Sequence, residues 1–314
     1  MAQPTNTHDS YDALGTREDL TDVIYNISPS DCPFMSAIGR SKASNTLHEW
    51  QTDSLAAADG SNAQIEGDDA AGTAIAATTR VNNRTQISRK VVVISGSGEA
   101  TDKAGRKSEM AYNVSKKLKE LKRDMETILT GKQVEATGSS TVARTTRALE
   151  SWLLTNKGHG TSGATNSSTG VVTDGTARAA TETLLKPVLQ SIFSSGGEPT
   201  TVIVGPSNKQ TFSGFSGIAT QYRDNKKVGP AQIIASADIY VSDFGELAIV
   251  PNRFSRDRTA SIIQPDMWAV SYLRPVKKEK LSKTGDSDRI MLLSEYCLEA
   301  RNEASSGKLA DLTI

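Results

Sequence analysis

Gly96-Ser97-Gly98 follows the apolar run Val91-Val92-Val93-Ile94 and leads into Glu99-Ala100. A strand, a glycine-rich turn and a helix, in that order, is how a dinucleotide pyrophosphate is held. The glycines let the backbone close on the phosphates at a helix N-terminus. Two features weigh against that chemistry. No alternating strand–helix–strand pattern surrounds the turn, and the acidic residue expected about 20 positions on falls on Glu120, in the middle of a helical pattern. A hinge between a hairpin and a helix explains the glycines better. Gly205-Pro206-Ser207-Asn208-Lys209 has the outline of a phosphate loop but lacks its Gly-Lys-Ser/Thr ending. Pro206 also removes an amide donor, so an ordinary turn with proline at the first helical position is the simpler account. His8, His48 and His159 are scattered, and neither Cys32 nor Cys297 has a base nearby in sequence. A nucleophile needs such a partner, so both cysteines read as small buried hydrophobes. Glu66, Asp68 and Asp69 cluster without the alternating spacing of a calcium loop. Catalytic, cofactor-binding and metal-ligating residues are therefore all expected to be absent.

The elements that position these residues follow from periodicity. Met110, Val114, Leu118, Leu121, Met125 and Leu129 recur in steps of three and four, which predicts one amphipathic helix over 106–130, stopped by Gly131. At 1.5 Å per residue it is about 35 Å long. Lys116, Lys117, Lys119, Lys122 and Arg123 interleave with Glu120, Asp124 and Glu126 on its other faces. That mixture predicts a solvated ion-pair surface rather than a nucleic-acid grip. Residues 45–95 read as one long hairpin, with strands near 46–55 and 79–94 and with Val81, Thr85, Ile87, Val91 and Val93 on one face. Ten paired residues would reach about 33 Å. Between the strands, 56–78 is rich in Ala, Gly and Asp and has no periodicity. A loop of that length is foreign to a compact domain and predicts a projection ordered by a neighbour. Residues 1–44 read as an extended arm with two short apolar pieces, the second ending at Gly39. A helix kinked at Pro187, a strand over 200–204 and strand signals at 239–242, 247–250, 261–263, 268–273 and 290–298 complete an α+β chain.

Composition narrows the function classes. The chain has 314 residues with 36 Lys+Arg against 36 Asp+Glu. A protein that coats DNA needs a basic excess to neutralise phosphates, so that class is excluded. An uncharged surface ordinarily promotes association. No run is long and apolar enough to span a membrane, no secretory leader is visible at Met1 to Ser10, and two isolated cysteines fit a chain made in a reducing cytoplasm.

The order of arm, long hairpin, long helix, mixed lobe and terminal strands resembles the major capsid protein of tailed bacteriophages. Particular residues carry the likeness: Tyr11-Asp12-Ala13, Arg17 through Pro29 (REDLTDVIYNISP), Pro33-Phe34-Met35, and His48-Glu49-Trp50-Gln51-Thr52-Asp53. These are similar to the N-terminal third of SU-ten-like phage major head proteins. The similarity is carried by words over residues 1–95 and by element order beyond them.

The resemblance implies a structural subunit without catalytic residues or cofactor. It places 1–44 as an N-terminal arm and 45–98 as an extended loop. It further implies a peripheral domain over 99–150 with its spine helix at 110–129, an axial domain over 151–257, and peripheral return strands over 258–314. The implied partner is the chain itself, in pentamers and hexamers of an icosahedral shell made in the host cytoplasm. Packaged DNA would touch the inner face weakly, and scaffolding, portal and decoration proteins are further partners the family implies. Trp50, Arg84, Arg89, Glu66 and Asp68 are the expected subunit contacts. A zero net charge suits such a shell, because any residual charge would be multiplied over every copy and oppose closure. Two other classes remain: another virion component such as a portal or decoration protein, and a dinucleotide-binding enzyme.

Overall fold

Ser108 and Gly131 bound the longest helix, α3 (Glu109–Thr130). The Ser108 hydroxyl accepts the Ala111 N–H, which satisfies one of the unpaired amides of the first turn. Leu121, Met125 and Leu129 are fully buried, as their spacing predicts. The computed structural model describes residues 31–67, 72, 75–102, 105, 107–215 and 239–314.

Helix α3 lies on a four-stranded sheet with the order β1 (Gly39–Lys42), β12 (Trp268–Leu281), β13 (Ser287–Ala300), β4 (Gln86–Ser95). β1 pairs with β12 in parallel, and the other neighbours are antiparallel. Phe34, Leu121, Trp268, Tyr296 and Leu298 anchor the core between helix and sheet, together with Leu149 and Trp152 of the short helix α4 (Leu149–Trp152).

A second core, around Leu185, Val202, Phe212 and Ile262, lies against a six-stranded sheet. Its order is β5 (Asn156–Gly158), β14 (Gly307–Leu309), β11 (Ala260–Ile263), β8 (Thr201–Val204), β10 (Gly245–Pro251), β9 (Ile239–Ser242). Helix α5 (Glu182–Ser194) covers it and contains Pro187; helix α6 (Pro206–Ser213) starts with the proline at its first turn. The small ribbon β6 (Ala164–Thr165) with β7 (Val172–Thr173) sits beside β5. The mixture of helices with mostly antiparallel sheets is α+β.

Three expectations need correction. The long hairpin is shorter than its pattern suggests. β2 (Leu47–Thr52) and β3 (Thr79–Arg84) form only six pairs, from Leu47↔Arg84 to Thr52↔Thr79. At Thr85 the chain turns away. The Thr85 N–H donates to the Thr46 carbonyl at 2.9 Å and its hydroxyl donates to Glu295 Oε1 at 2.8 Å. From Gln86 onward the strand pairs with β13 instead. Within β4 the odd-numbered residues Ile87, Val91 and Val93 do share a face, and it is the open one. Val92 is buried, whereas Ile87, Val91 and Val93 are 46%, 40% and 54% exposed. Apolar residues at consecutive positions 91–94 fit either face, so the parity of this strand was ambiguous.

The second correction concerns the arm. Residues 33–42 are part of the main body: helix α1 (Pro33–Ala37) buries Phe34 completely, and Gly39, just past that helix, opens a paired strand. The third concerns Glu126, which is not on a solvated face. It is fully buried, accepts the Phe34 and Met35 N–H groups at 2.7 and 2.9 Å, and takes a third bond from Asn252 Nδ2 at 2.7 Å. Burial raises its pKa against the pull of those bonds. A carboxylate on the long helix thus caps the N-terminus of α1, where the unpaired amides favour an acceptor.

Candidate subunit-contact surfaces

The hairpin root is fixed by polar and aromatic contacts to the body. Trp50 Nε1 donates to the Ala300 carbonyl at 2.8 Å. The Trp50 ring meets Trp152 at 5.7 Å between centroids, and the Arg147 guanidinium lies 4.4 Å from the Trp152 ring. Asn83 is fully buried. Its amide donates to Thr146 Oγ1 and to the Arg147 and Leu298 carbonyls, and its oxygen accepts the Arg147 N–H. Glu299 accepts from Ser41 Oγ at 2.6 Å and Ser271 Oγ at 2.7 Å, and lies 3.1 Å from His48 Nε2. Burial opposes its ionisation, but bonds from Ser41, Ser271, Arg301 and His48 outweigh burial and hold its carboxyl down to about 2. Serine, histidine and glutamate meet here without hydrolase geometry. Both hydroxyls donate to the Glu299 carboxylate and His48 contacts the same carboxylate, whereas a triad nucleophile is bonded to the histidine that takes its proton.

Beyond that root the chain leaves the body. Leu55, Ile65 and Ile75 are 97%, 80% and 98% exposed. Segment 51–78 carries five acidic residues and no Lys or Arg. Three large apolar side chains left in water on one anchored projection make it a candidate interaction surface.

A second open surface lies on the four-stranded sheet. Paired residues share a face. Val92 and Ile290 point toward α3, so the registers Met291↔Val91 and Arg289↔Val93 place Val91, Val93, Met291 and Arg289 on the far side. Segment 139–144 borders this side at Ile87, and Ile87, Val91 and Val93 stay open to solvent.

The expected contact residues are dispersed. Trp50 is half-buried within its own subunit, Arg84 is half-buried beside the root, Arg89 is exposed on the open sheet face, and Glu66 is exposed on the loop. Asp68 lies outside the described residues. Sequence reasoning missed Leu55, Ile65 and Ile75. The available signal was three large aliphatics isolated in an otherwise small and acidic segment.

The residues that could do chemistry are absorbed by structure. Gly96 and Gly98 begin α2 (Gly96–Ala100), a single turn whose Gly98 N–H is already taken by Ser95 Oγ. A side-chain carbon at Gly96 would meet the Asp286 carboxylate, an acidic wall unsuited to a pyrophosphate. Glu99 instead accepts from Ser108 Oγ and Met110 N–H, joining the hinge to α3. At Gly205 the neighbour is the Asp257 carboxylate, again the wrong sign for phosphate. Cys32 opens onto a cleft of about 610 Å³ beside Met35, Arg40, Tyr272 and Val276. Burial, then the Glu126 carboxylate, pushes its thiol up to about 11. Burial and Glu299 push Cys297 up to about 12. Neither is a thiolate at neutral pH. His159 sits beside Thr165 and Asp311, and burial lowers its pKa. Among the described residues no group of three His, Cys, Asp or Glu could hold a metal ion, and no helix is long and apolar enough to cross a membrane.

What remains is a body with anchored, unsatisfied surfaces, and the comparisons agree with that character. The chain is 29% identical to the major capsid protein of Escherichia phage Phieco32 over 98% of its own length and 97% of that protein's. Its fold matches a chain of the capsid asymmetric unit of cyanophage A-1(L) with a TM-score of 0.66 at 12% identity, covering 95% of this chain and 98% of that one. It matches a chain from the capsid of a native GTA particle with a TM-score of 0.62 at 9% identity, covering 97% and 98%. The model of the SU10 major capsid protein family matches residues 3–313. The chain belongs to the SU10 major capsid protein family and is a structural subunit of a bacteriophage head.

Proposed function

We propose that this subunit assembles as pentamers and hexamers into an icosahedral shell around packaged double-stranded DNA, and that the loop beyond residue 52 reaches onto a neighbouring subunit. The observation that carries the reading is the pairing of a rigid root with an unburied tip. Trp50, Asn83 and Glu299 lock the root, while no described part of the subunit covers Leu55, Ile65 and Ile75. A closed symmetric shell multiplies one such contact over every copy, and two surfaces per subunit can exceed the roughly 1,600 Å² of a standard interface.

In this reading α3 and the four-stranded sheet form the peripheral domain, and residues 151–257 with α5 form the axial domain, whose sheet is completed by β11 and β14 from the return segment 258–314. Arg84, Arg89, Glu66 and Asp68 contribute to subunit contacts, and Trp50 acts through the root. The chain is made in the host cytoplasm, touches DNA weakly on the inner face, and meets scaffolding, portal and decoration proteins during head assembly. Electron microscopy of the purified protein, with and without residues 56–78, tests the reading. Shells or capsomers from the full chain and none from the folded deletion variant are expected. Shells of normal shape from the deletion variant would contradict it.

A further inference from the structure

Helix α5 packs on β5, and between them lies a cavity of about 360 Å³, a size found among small-molecule sites. Its lining is of two kinds. Leu184, Pro187 and Val188 of α5 are apolar, while Lys157, His159 and Arg178 are basic. No acid is among the described residues that line it. Both cations also lack an acid partner among the described residues. Lys157 Nζ donates only to the Thr165 carbonyl, at 2.9 Å. Arg178 Nε is out of solvent without an acceptor, and a buried unpaired donor is costly enough to call for a partner. The backbone holds Arg178 in place: its N–H donates to the Asp311 carbonyl at 2.8 Å and its carbonyl accepts the Thr313 N–H at 2.9 Å. Acids close to this lining are engaged elsewhere. Asp311 accepts the Gly160 and Gly175 amides at 3.0 and 2.6 Å and lies 3.5 Å from His159 Nδ1 and 3.6 Å from Arg258. Glu303 accepts the Leu154 and Thr155 amides and the Thr155 hydroxyl.

We propose that this cavity binds a phosphate dianion, free or as the terminal group of a nucleotide, between Lys157 and Arg178. Charge decides the ligand class. A terminal phosphate carries about −1.5 to −2 at neutral pH, which matches two fixed cations. A carboxylate or a DNA backbone phosphate brings a single charge and leaves one cation unanswered. The guanidinium fork and the two remaining N–H groups of Lys157 suit an anion with oxygens on several sides. His159 adds no charge in the empty cavity, because burial and then Lys308 lower its pKa. Asp311, Lys308, Lys157 and Thr165 are the groups that face it. A dianion beside it favours the imidazolium. The apolar side of α5 is where the body of a nucleotide would pack.

Isothermal titration calorimetry of the full chain in phosphate-free buffer tests the proposal, with sodium chloride of equal ionic strength as the blank. The titrants are inorganic phosphate, adenosine monophosphate and a short duplex DNA without terminal phosphates. Saturable binding of inorganic phosphate with a Kd at or below about 1 mM assigns the site to the free ion, and binding of adenosine monophosphate alone assigns it to a nucleotide. Binding of neither overturns the proposal. Binding of the DNA alone also overturns it and gives the pair of cations to the nucleic acid. Lys157→Gln and Arg178→Gln are each expected to weaken binding about tenfold; unchanged affinity in both would place the ligand elsewhere and overturn the site. Lys157 is exposed, so its variant carries the test where Arg178→Gln fails to fold. The wild-type chain gives a second readout by nuclear magnetic resonance. With phosphate bound, the imidazole of His159 should titrate at higher pH while that of His48 does not move. A His159 titration unaffected by saturating phosphate would overturn the proposal. None of these measurements needs a shell, so their failure is separate from failure of the assembly reading.

Discussion

Removing the Glu126 carboxylate tests how the long helix and the N-terminal segment become one body. In Glu126→Ala three donors lose their acceptor: the Phe34 and Met35 amides and Asn252 Nδ2. Phe34 and Asn252 are fully buried, so water cannot replace the carboxylate for them. Each orphaned buried donor costs about 1–3 kcal/mol, and the vacated side-chain volume adds to that. The expected loss is about 3–5 kcal/mol. Spread over the unfolding entropy of 314 residues, that lowers the melting temperature by about 5–8 °C. Glu126→Gln keeps one carbonyl oxygen, which can serve Phe34 and Asn252, but turns an amide N–H₂ toward the Met35 N–H. Its cost should be about 1–2 kcal/mol. Thermal unfolding of the unassembled subunit, followed by circular dichroism, gives the ranking directly. The order wild type, Gln, Ala is expected. An Ala variant within about 0.5 kcal/mol of wild type would refute the claim that this carboxylate holds α1 in place.

Leu121→Asp puts a charge into the fully buried seam of α3 and should prevent folding, at a cost of about 4 kcal/mol or more; a native circular dichroism spectrum would contradict it. Trp50→Ala removes the bond to Ala300 and the Trp152 contact. It should speed amide exchange in β2 and β3 while leaving α3 protected, and unchanged exchange in the hairpin would count against the root. Leu55→Ser with Ile75→Ser should leave subunit stability within about 0.5 kcal/mol and still reduce shell yield; equal yield would show that the exposed aliphatics have no role. Glu299 is held down to about 2 from an ordinary 4.5. A depressed carboxyl pKa contributes stability above the unfolded value, and that stability is lost as pH falls from 4.5 toward 2. Glu299→Gln should therefore be less stable at neutral pH, with the difference narrowing across that window; a constant difference would argue against the shift.

The fold was legible where one pattern allowed one geometry. The steps of three and four from Met110 to Leu129 fit only a helix, and Pro206 and Pro187 marked a helix start and a helix interior. It was not legible where a choice depended on a distant partner. Val91 to Ile94 fits either face of a strand, and only pairing with β13 and packing on α3 decide that Val92 goes in. Glu126 sits among charged neighbours in sequence, and its burial follows from Phe34, 92 positions away. Likewise the bend at Thr85 depends on Glu295. The contact surfaces were half legible. The aperiodic stretch 56–78 announced a projection, and Arg89 and Glu66 do lie in the open. Trp50 could not be told from a surface aromatic, because the Trp152 ring that receives it comes from another part of the chain.

Where loop 53–67 lies in the assembled state is the most direct test of subunit contact. Cryo-electron microscopy of particles formed by the full chain would resolve it. Closed shells with the loop ordered against an adjacent copy are the predicted result. Shells in which the loop stands free of its neighbours, or a protein that remains monomeric at high concentration, would contradict the central claim.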